Sequence, residues 1–157
     1  MSYQFTKGML ALVVAGTLCC LSCKKGTTES EAKVKPPVRT YVVTARIDKK
    51  GTNSNSEGTA MLKGAYSEES KLLVYTLEYE GVDPREITLR NGAKGSYGVL
   101  VKELYVFGKG QQSQPLTGSI TLSPLQERQL LRGQWFVAVN TPTMFPEISG
   151  MLTLKQM

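Results

Sequence analysis

From residue 38 onward, apolar side chains recur at every second position in short runs, a spacing that strands satisfy and helices do not. The clearest run is 71–81. Leu73, Tyr75, Leu77 and Tyr79 fall on one face, and Leu72, Val74, Thr76, Glu78 and Glu80 on the other. A chain with this repeat buries one face of each strand against a second layer. Residues 40–47, rich in Val, Thr and Tyr, follow the same rule, and 59–66 bring Ala60, Leu62 and Tyr66 together. Residues 99–107, 119–122, 135–140 and 151–154 are β-prone as well.

Turn-forming stretches separate these runs at 49–58, 67–70, 81–84, Asn91-Gly92 and 108–115. One segment departs from the pattern. Ser123-Pro124-Leu125-Gln126 reads as a helix start, with Ser123 as cap, Pro124 at the first position and Gln126 placed for a capping box; Gly133 ends it. Leu125, Leu130 and Leu131 are expected to pack this helix over one end of the sheets. The expected fold is all-β, a Greek-key, immunoglobulin-like β-sandwich of about seven to eight strands with one short helix near 124–132.

The N-terminal segment is an address rather than part of that fold. Lys7 precedes an apolar run, 9–21, that is too short to span a bilayer. The run ends in Cys20-Leu21-Ser22-Cys23-Lys24-Lys25, which resembles a bacterial lipobox. The resemblance implies cleavage after Ser22 and a diacylglycerol thioether on Cys23, a bond that only a thiol can make. All three cysteines lie within 19–23, so no disulfide can staple the mature domain. Two or three acyl chains hold a protein firmly where one binds only marginally.

Residues 24–37 are polar, end in Pro36-Pro37 and bury no apolar area, as a flexible tether does. The expected organisation is a signal peptide at 1–22, a lipidated cysteine and tether at 23–37, and one sandwich domain at 38–157. The expected location is the cell envelope, anchored in the outer membrane rather than the inner, facing periplasm or exterior. Lys24-Lys25 leaves the leaflet open.

The formal charge of +6 is spread rather than clustered: beyond the tether, 14 Lys and Arg stand against 11 acids. No basic stripe with interleaved aromatics is visible, so nucleic acid is not an expected partner. The chain has no histidine. A nucleophile would therefore lack an imidazole base, no Gly-rich phosphate loop precedes a helix, and no catalytic residue is expected. Asp83, Glu86, Glu103 and Glu147 are scattered singly, and neither a metal nor a cofactor is expected.

The order of motifs over roughly 57–154 resembles the chordin-type (CHRD) domain. The pieces are Gly58-Thr59-Ala60-Met61-Leu62, then Leu73-Val74-Tyr75-Thr76-Leu77-Glu78-Tyr79-Glu80-Gly81, then the helix with Gly133-Gln134-Trp135-Phe136-Val137, and finally Pro146-Glu147-Ile148-Ser149-Gly150-Met151-Leu152. Where the family usually carries His-x-His and His-Thr, this chain reads Thr88-Leu89-Arg90 and Asn140-Thr141. Imidazole ligation and imidazole acid–base chemistry are thus closed to it.

These readings converge on a membrane-anchored lipoprotein presenting a non-catalytic binding or scaffolding domain. The alternative is a structural subunit of an envelope protein complex, and the expected partners are membrane lipid through acylated Cys23 and an envelope protein. Arg90 and Asn140 are the candidate ligand contacts, with Tyr97 and Trp135 behind them.

Overall fold

In a computed structural model, residues 37–93, 96–110 and 113–157 are described. The signal peptide, Cys23 and all of the tether but Pro37 lie outside the described residues.

The alternating run of 72–80 becomes the last strand of a three-strand meander. β1 (Thr40–Ile47) pairs antiparallel with β2 (Thr59–Ser67), and β2 with β3 (Leu72–Glu80). The chain then crosses to a second sheet, where β4 (Glu86–Asn91) and β5 (Val99–Val106) pair, and returns to lay β6 (Leu116–Thr121) beside β3. That return is the Greek-key connection. After helix α1 (Pro124–Leu131), β7 (Trp135–Asn140) joins β4, β8 (Ile148–Met151) joins β7, and β9 (Thr153–Gln156) joins β1. The sheets run β6-β3-β2-β1-β9 and β5-β4-β7-β8, a two-layer all-β sandwich.

Its core is filled from both inner faces. Leu73, Tyr75 and Leu77 of β3 and Ala60, Leu62 and Tyr66 of β2 meet Ile87, Leu89, Trp135, Val137 and Val139 from the second sheet. These are the residues that alternation assigned to the inside on β2 and β3.

Among the described residues nine strands form where about seven to eight are expected, for two reasons. Glu86–Asn91 is a strand that alternation does not reveal, because Ile87, Thr88, Leu89 and Arg90 are all buried. The C-terminal run is divided at Leu152, where the chain changes sheets. Ser149 bridges to Asp48, Thr153 pairs with Thr44 and Gln156 with Tyr41, so β8 and β9 follow β1 in a single register. The Leu152 amide donates to the Trp135 carbonyl at 2.8 Å between the two halves.

The helix forms as its cap residues dictate. The Ser123 hydroxyl accepts from the Gln126 amide, and the Gln126 side chain accepts from the Ser123 amide at 2.9 Å, closing the capping box. Gly133 stops the helix at φ +67°, where a side chain is strained, and its amide returns to the Leu130 carbonyl. The packing of α1 differs from expectation. Leu130 alone is fully buried, whereas Leu125 is 60% and Leu131 40% exposed. A single bond network on the inner side sets this roll, since Glu127 accepts from both the Tyr66 hydroxyl and the Lys71 ammonium.

Candidate functional site

The outer face of the second sheet is unusual because it is polar and yet buried. On β4 the inward Ile87 and Leu89 belong to the core, while the outward Thr88 and Arg90 are also covered. On β7 the outward Phe136, Ala138 and Asn140 are covered too. Three loop segments cover this face: 48–58 after β1, the described residues 92–93 and 96–98 between β4 and β5, and 141–147 between β7 and β8.

Arg90 is 7% exposed. Its Nε donates to the Thr88 hydroxyl at 2.9 Å and its Nη1 to the Tyr97 carbonyl at 3.2 Å. The Tyr97 ring, itself exposed, lies over the guanidinium with 4.2 Å between centroid and Cζ. Among the described residues no carboxylate stands within ion-pair distance of Arg90. Planar donors and an aromatic lid take the place of water around this cation, an arrangement open to Arg and closed to Lys.

Asn140 is 2% exposed and its Nδ2 donates to Glu86 Oε2 at 2.8 Å. Asn140 pairs with Glu86 and Phe136 with Arg90, the Thr88–Ala138 pair lying between. The two candidate contacts therefore share one face of neighbouring strands without touching, and each is occupied by internal partners. Trp135 lies wholly within the core.

The accessible part of this face is a groove of about 530 Å³ bounded by Lys50, Thr52 and Asn53 on one wall, by Met144, Phe145 and Pro146 on the other, and by Ser96 and Ser149. A smaller cleft of about 140 Å³ adjoins it at Asp48, Phe136 and Met151 and shares Lys50, Gly51 and Ser149. Another hollow, about 460 Å³, lies on the outer face of the first sheet over Arg46, Met61 and Glu78, but strand side chains alone line it. The loop-walled groove is the better site, because loops on a rigid sheet supply both shape and selectivity.

Hydrogen bonds fix both walls. The Ser149 hydroxyl donates to the Gly51 carbonyl at 2.8 Å, the Thr52 hydroxyl to the Glu147 carbonyl at 2.8 Å, and the Ser56 hydroxyl to the Glu147 carboxylate at 2.5 Å. Thr141 and Met144 exchange bonds across the opposite turn, the Thr141 amide reaching the Met144 carbonyl at 3.0 Å and the Met144 amide reaching the Thr141 hydroxyl. That turn leaves the Met144 and Phe145 side chains exposed on the rim. One cation, several hydroxyls and an amide beside two exposed apolar side chains suit a ligand with a polar and an apolar part. Among the described residues no group of three or more His, Cys, Asp and Glu is arranged to hold a metal.

The candidate contacts read from the sequence, Arg90 and Asn140, do not line this groove. Lys50, Asn53, Met144 and Phe145 sit in stretches whose composition reads only as turn. An aromatic at Phe145, isolated in such a stretch, was the one available signal.

Two loop-bearing antiparallel sheets with a walled groove define a binding-type β-sandwich domain. The family model for the CHRD domain matches residues 42–151, and the chain belongs to that family. The match begins within β1, so the family unit includes a strand that the motif resemblance left out. No curated protein and no solved structure matches the chain.

Proposed function

We propose that this chain is a lipid-anchored protein of the bacterial cell envelope, held through Cys23, whose CHRD domain works as a non-catalytic binding module. The observation that carries the binding part is the groove between Lys50–Asn53 and Met144–Pro146, concave, walled by two hydrogen-bonded loops and rimmed by exposed Phe145. The lipobox-like Cys20-Leu21-Ser22-Cys23 followed by Lys24-Lys25 supports the anchor. Arg90 and Asn140 do not line this groove; they hold the sheet face beside it through their bonds to Thr88, Tyr97 and Glu86.

The second reading, a structural subunit of an envelope complex, draws on edge strand β5. Val99 and Leu100 stand exposed at its start, and Phe107 just past its other end. An apolar edge of this kind invites another protein.

Two measurements test the proposal. Intact mass of the protein from its native membrane, beside Cys23→Ala, reads the anchor: residues 23–157 plus acyl groups, lost in the variant, support it, and an unacylated wild type removes it. A photo-crosslinker replacing Phe145, compared with one replacing Val99 in the same membranes, separates the two readings. Adducts at Phe145 that Lys50→Ala weakens support the groove; adducts at Val99 alone move the contact to the β5 edge.

A further inference from the structure

The two leucines that α1 turns away from the core share one end of the sandwich with the point where the chain enters the domain. Thr40 pairs there with Ser67, and Leu72 with Thr121 just ahead of α1. The Met157 amide donates to the Thr40 carbonyl. Residues 38–40, the turn at 67–71, α1 and the C-terminus thus converge on one surface, which carries exposed Val38, Leu125, Leu131 and Met157.

On α1, Leu125, Arg128, Leu131 and Arg132 recur at three- and four-residue spacings and form one outward face. Leu130 with Gln126, Glu127 and Gln129 forms the inward one. Arg39 and Lys155 stand exposed nearby. The acids opposing them are Glu69 and Glu68, and Glu68 already accepts from the Tyr41 hydroxyl. Lys71 and Glu127 neutralise each other. The surface is therefore apolar at its centre and cationic around it.

Exposed leucines gain nothing in water, whereas at an anionic bilayer leucine reaches the acyl boundary and arginine the phosphates. Cys23 lies 15 residues before Val38, a span of about 50 Å at full extension. A lipid on Cys23 would keep the domain close to the membrane and join it at this end, and the leucines and arginines of α1 then favour this end as the docked one.

We propose that the α1 end of the domain docks on the surface of an anionic phospholipid bilayer. Leu125 and Leu131 sit at the headgroup boundary, and Arg128 and Arg132 bind lipid phosphates. This orientation rests on the lipid anchor put forward above. It turns the groove loops that follow β1 and β7, which lie toward the opposite end, away from the membrane.

The test uses full-length mature protein, purified from membranes and reconstituted into vesicles containing brominated phosphatidylglycerol. A bimane fluorophore is placed on Leu131→Cys, and in a second sample on Asp83→Cys, an exposed site in the turn at the far end, where Thr59 pairs with Glu80. Bromolipid quenches the label at 131 and leaves the one at 83 bright. Arg128→Gln with Arg132→Gln lowers the docked-to-free ratio by roughly 25-fold, from about fivefold per charge at an anionic surface, and the label at 131 brightens to match. Equal quenching at both positions in protein whose mass carries acyl groups overturns the orientation and spares the anchor. A mass without acyl groups removes the anchor, and the orientation with it.

Discussion

The phenol of Tyr66, fully buried between the sheets, donates a 2.6 Å hydrogen bond to Oε1 of Glu127 on α1. This one contact fixes how the helix lies on the sandwich, and it makes stability depend on pH at both ends of the scale. Burial, and then the Glu127 carboxylate, push the Tyr66 hydroxyl above its usual 10.0. Burial alone would raise the Glu127 carboxyl, but bonds from Lys71 and Tyr66 outweigh it and hold the group below its usual 4.5.

The acid limb follows from Glu127. A carboxyl depressed in the folded state stabilises above its unfolded value and loses that contribution as pH falls through the folded one. Thermal midpoints of the wild type should therefore fall below pH 4.5 more steeply than those of Glu127→Gln. The alkaline limb runs the other way, since a phenol raised on folding stabilises below 10.0 and ceases to do so as pH climbs past it. Tyr66→Phe flattens that decline and costs about 1–3 kcal/mol at neutral pH, because the partly buried Glu127 carboxylate loses one of its two donors and keeps only Lys71.

Arg90 should tolerate no replacement. Arg90→Ala removes the donors to Thr88 and Tyr97 and leaves a void under the Tyr97 ring, for a loss of about 2–3 kcal/mol in denaturant unfolding. Arg90→Lys is expected to recover little of this, because an ammonium cannot fork between the Thr88 hydroxyl and the Tyr97 carbonyl while stacking on a ring. Full recovery by Lys would show that charge alone matters.

Gly51 stands where no side chain fits. A Cβ there would collide with the carbonyl and hydroxyl of Ser149. Gly51→Ala should push the 48–58 loop off β8, cost about 1–3 kcal/mol and raise amide exchange at 49–56 while β2 and β3 keep their protection. Wild-type exchange rates in the loop would count against this account of the groove wall.

The leucines of α1 should divide sharply. Leu130→Ala opens a core cavity and costs about 2–5 kcal/mol, whereas Leu125→Ala and Leu131→Ala stay within about 0.5 kcal/mol of wild type in solution. Urea midpoints of the three variants measure this directly.

The sequence was most legible where one face is apolar and the other polar. β3 reads residue by residue because Leu73, Tyr75 and Leu77 point inward while Val74, Thr76 and Glu78 do not. β4 escapes the same test because loops cover its outer face, and Thr88 and Arg90 are buried as deeply as Ile87 and Leu89. On α1 the cap residues mark both ends, yet eight residues hold too few turns for periodicity to say which leucine faces inward. Glu127 decides that through partners more than fifty residues away in sequence. The groove was illegible for a related reason. Its walls are loops, and what makes them walls is the pairing of Gly51 with Ser149 and of Thr52 with Glu147, contacts that no local pattern announces.

The register that β8 and β9 share along β1 gives the sandwich a spine. One extended segment is hydrogen-bonded to β7 in its first half and to β1 in its second, so on that side the two sheets are bound together like the leaves of a book. The opposite edges, β5 and β6, belong to different sheets and do not pair. Breathing motions must therefore open the domain at the β5–β6 margin, as a hinge does, and hydrogen exchange should decline steadily from that margin to the bound side.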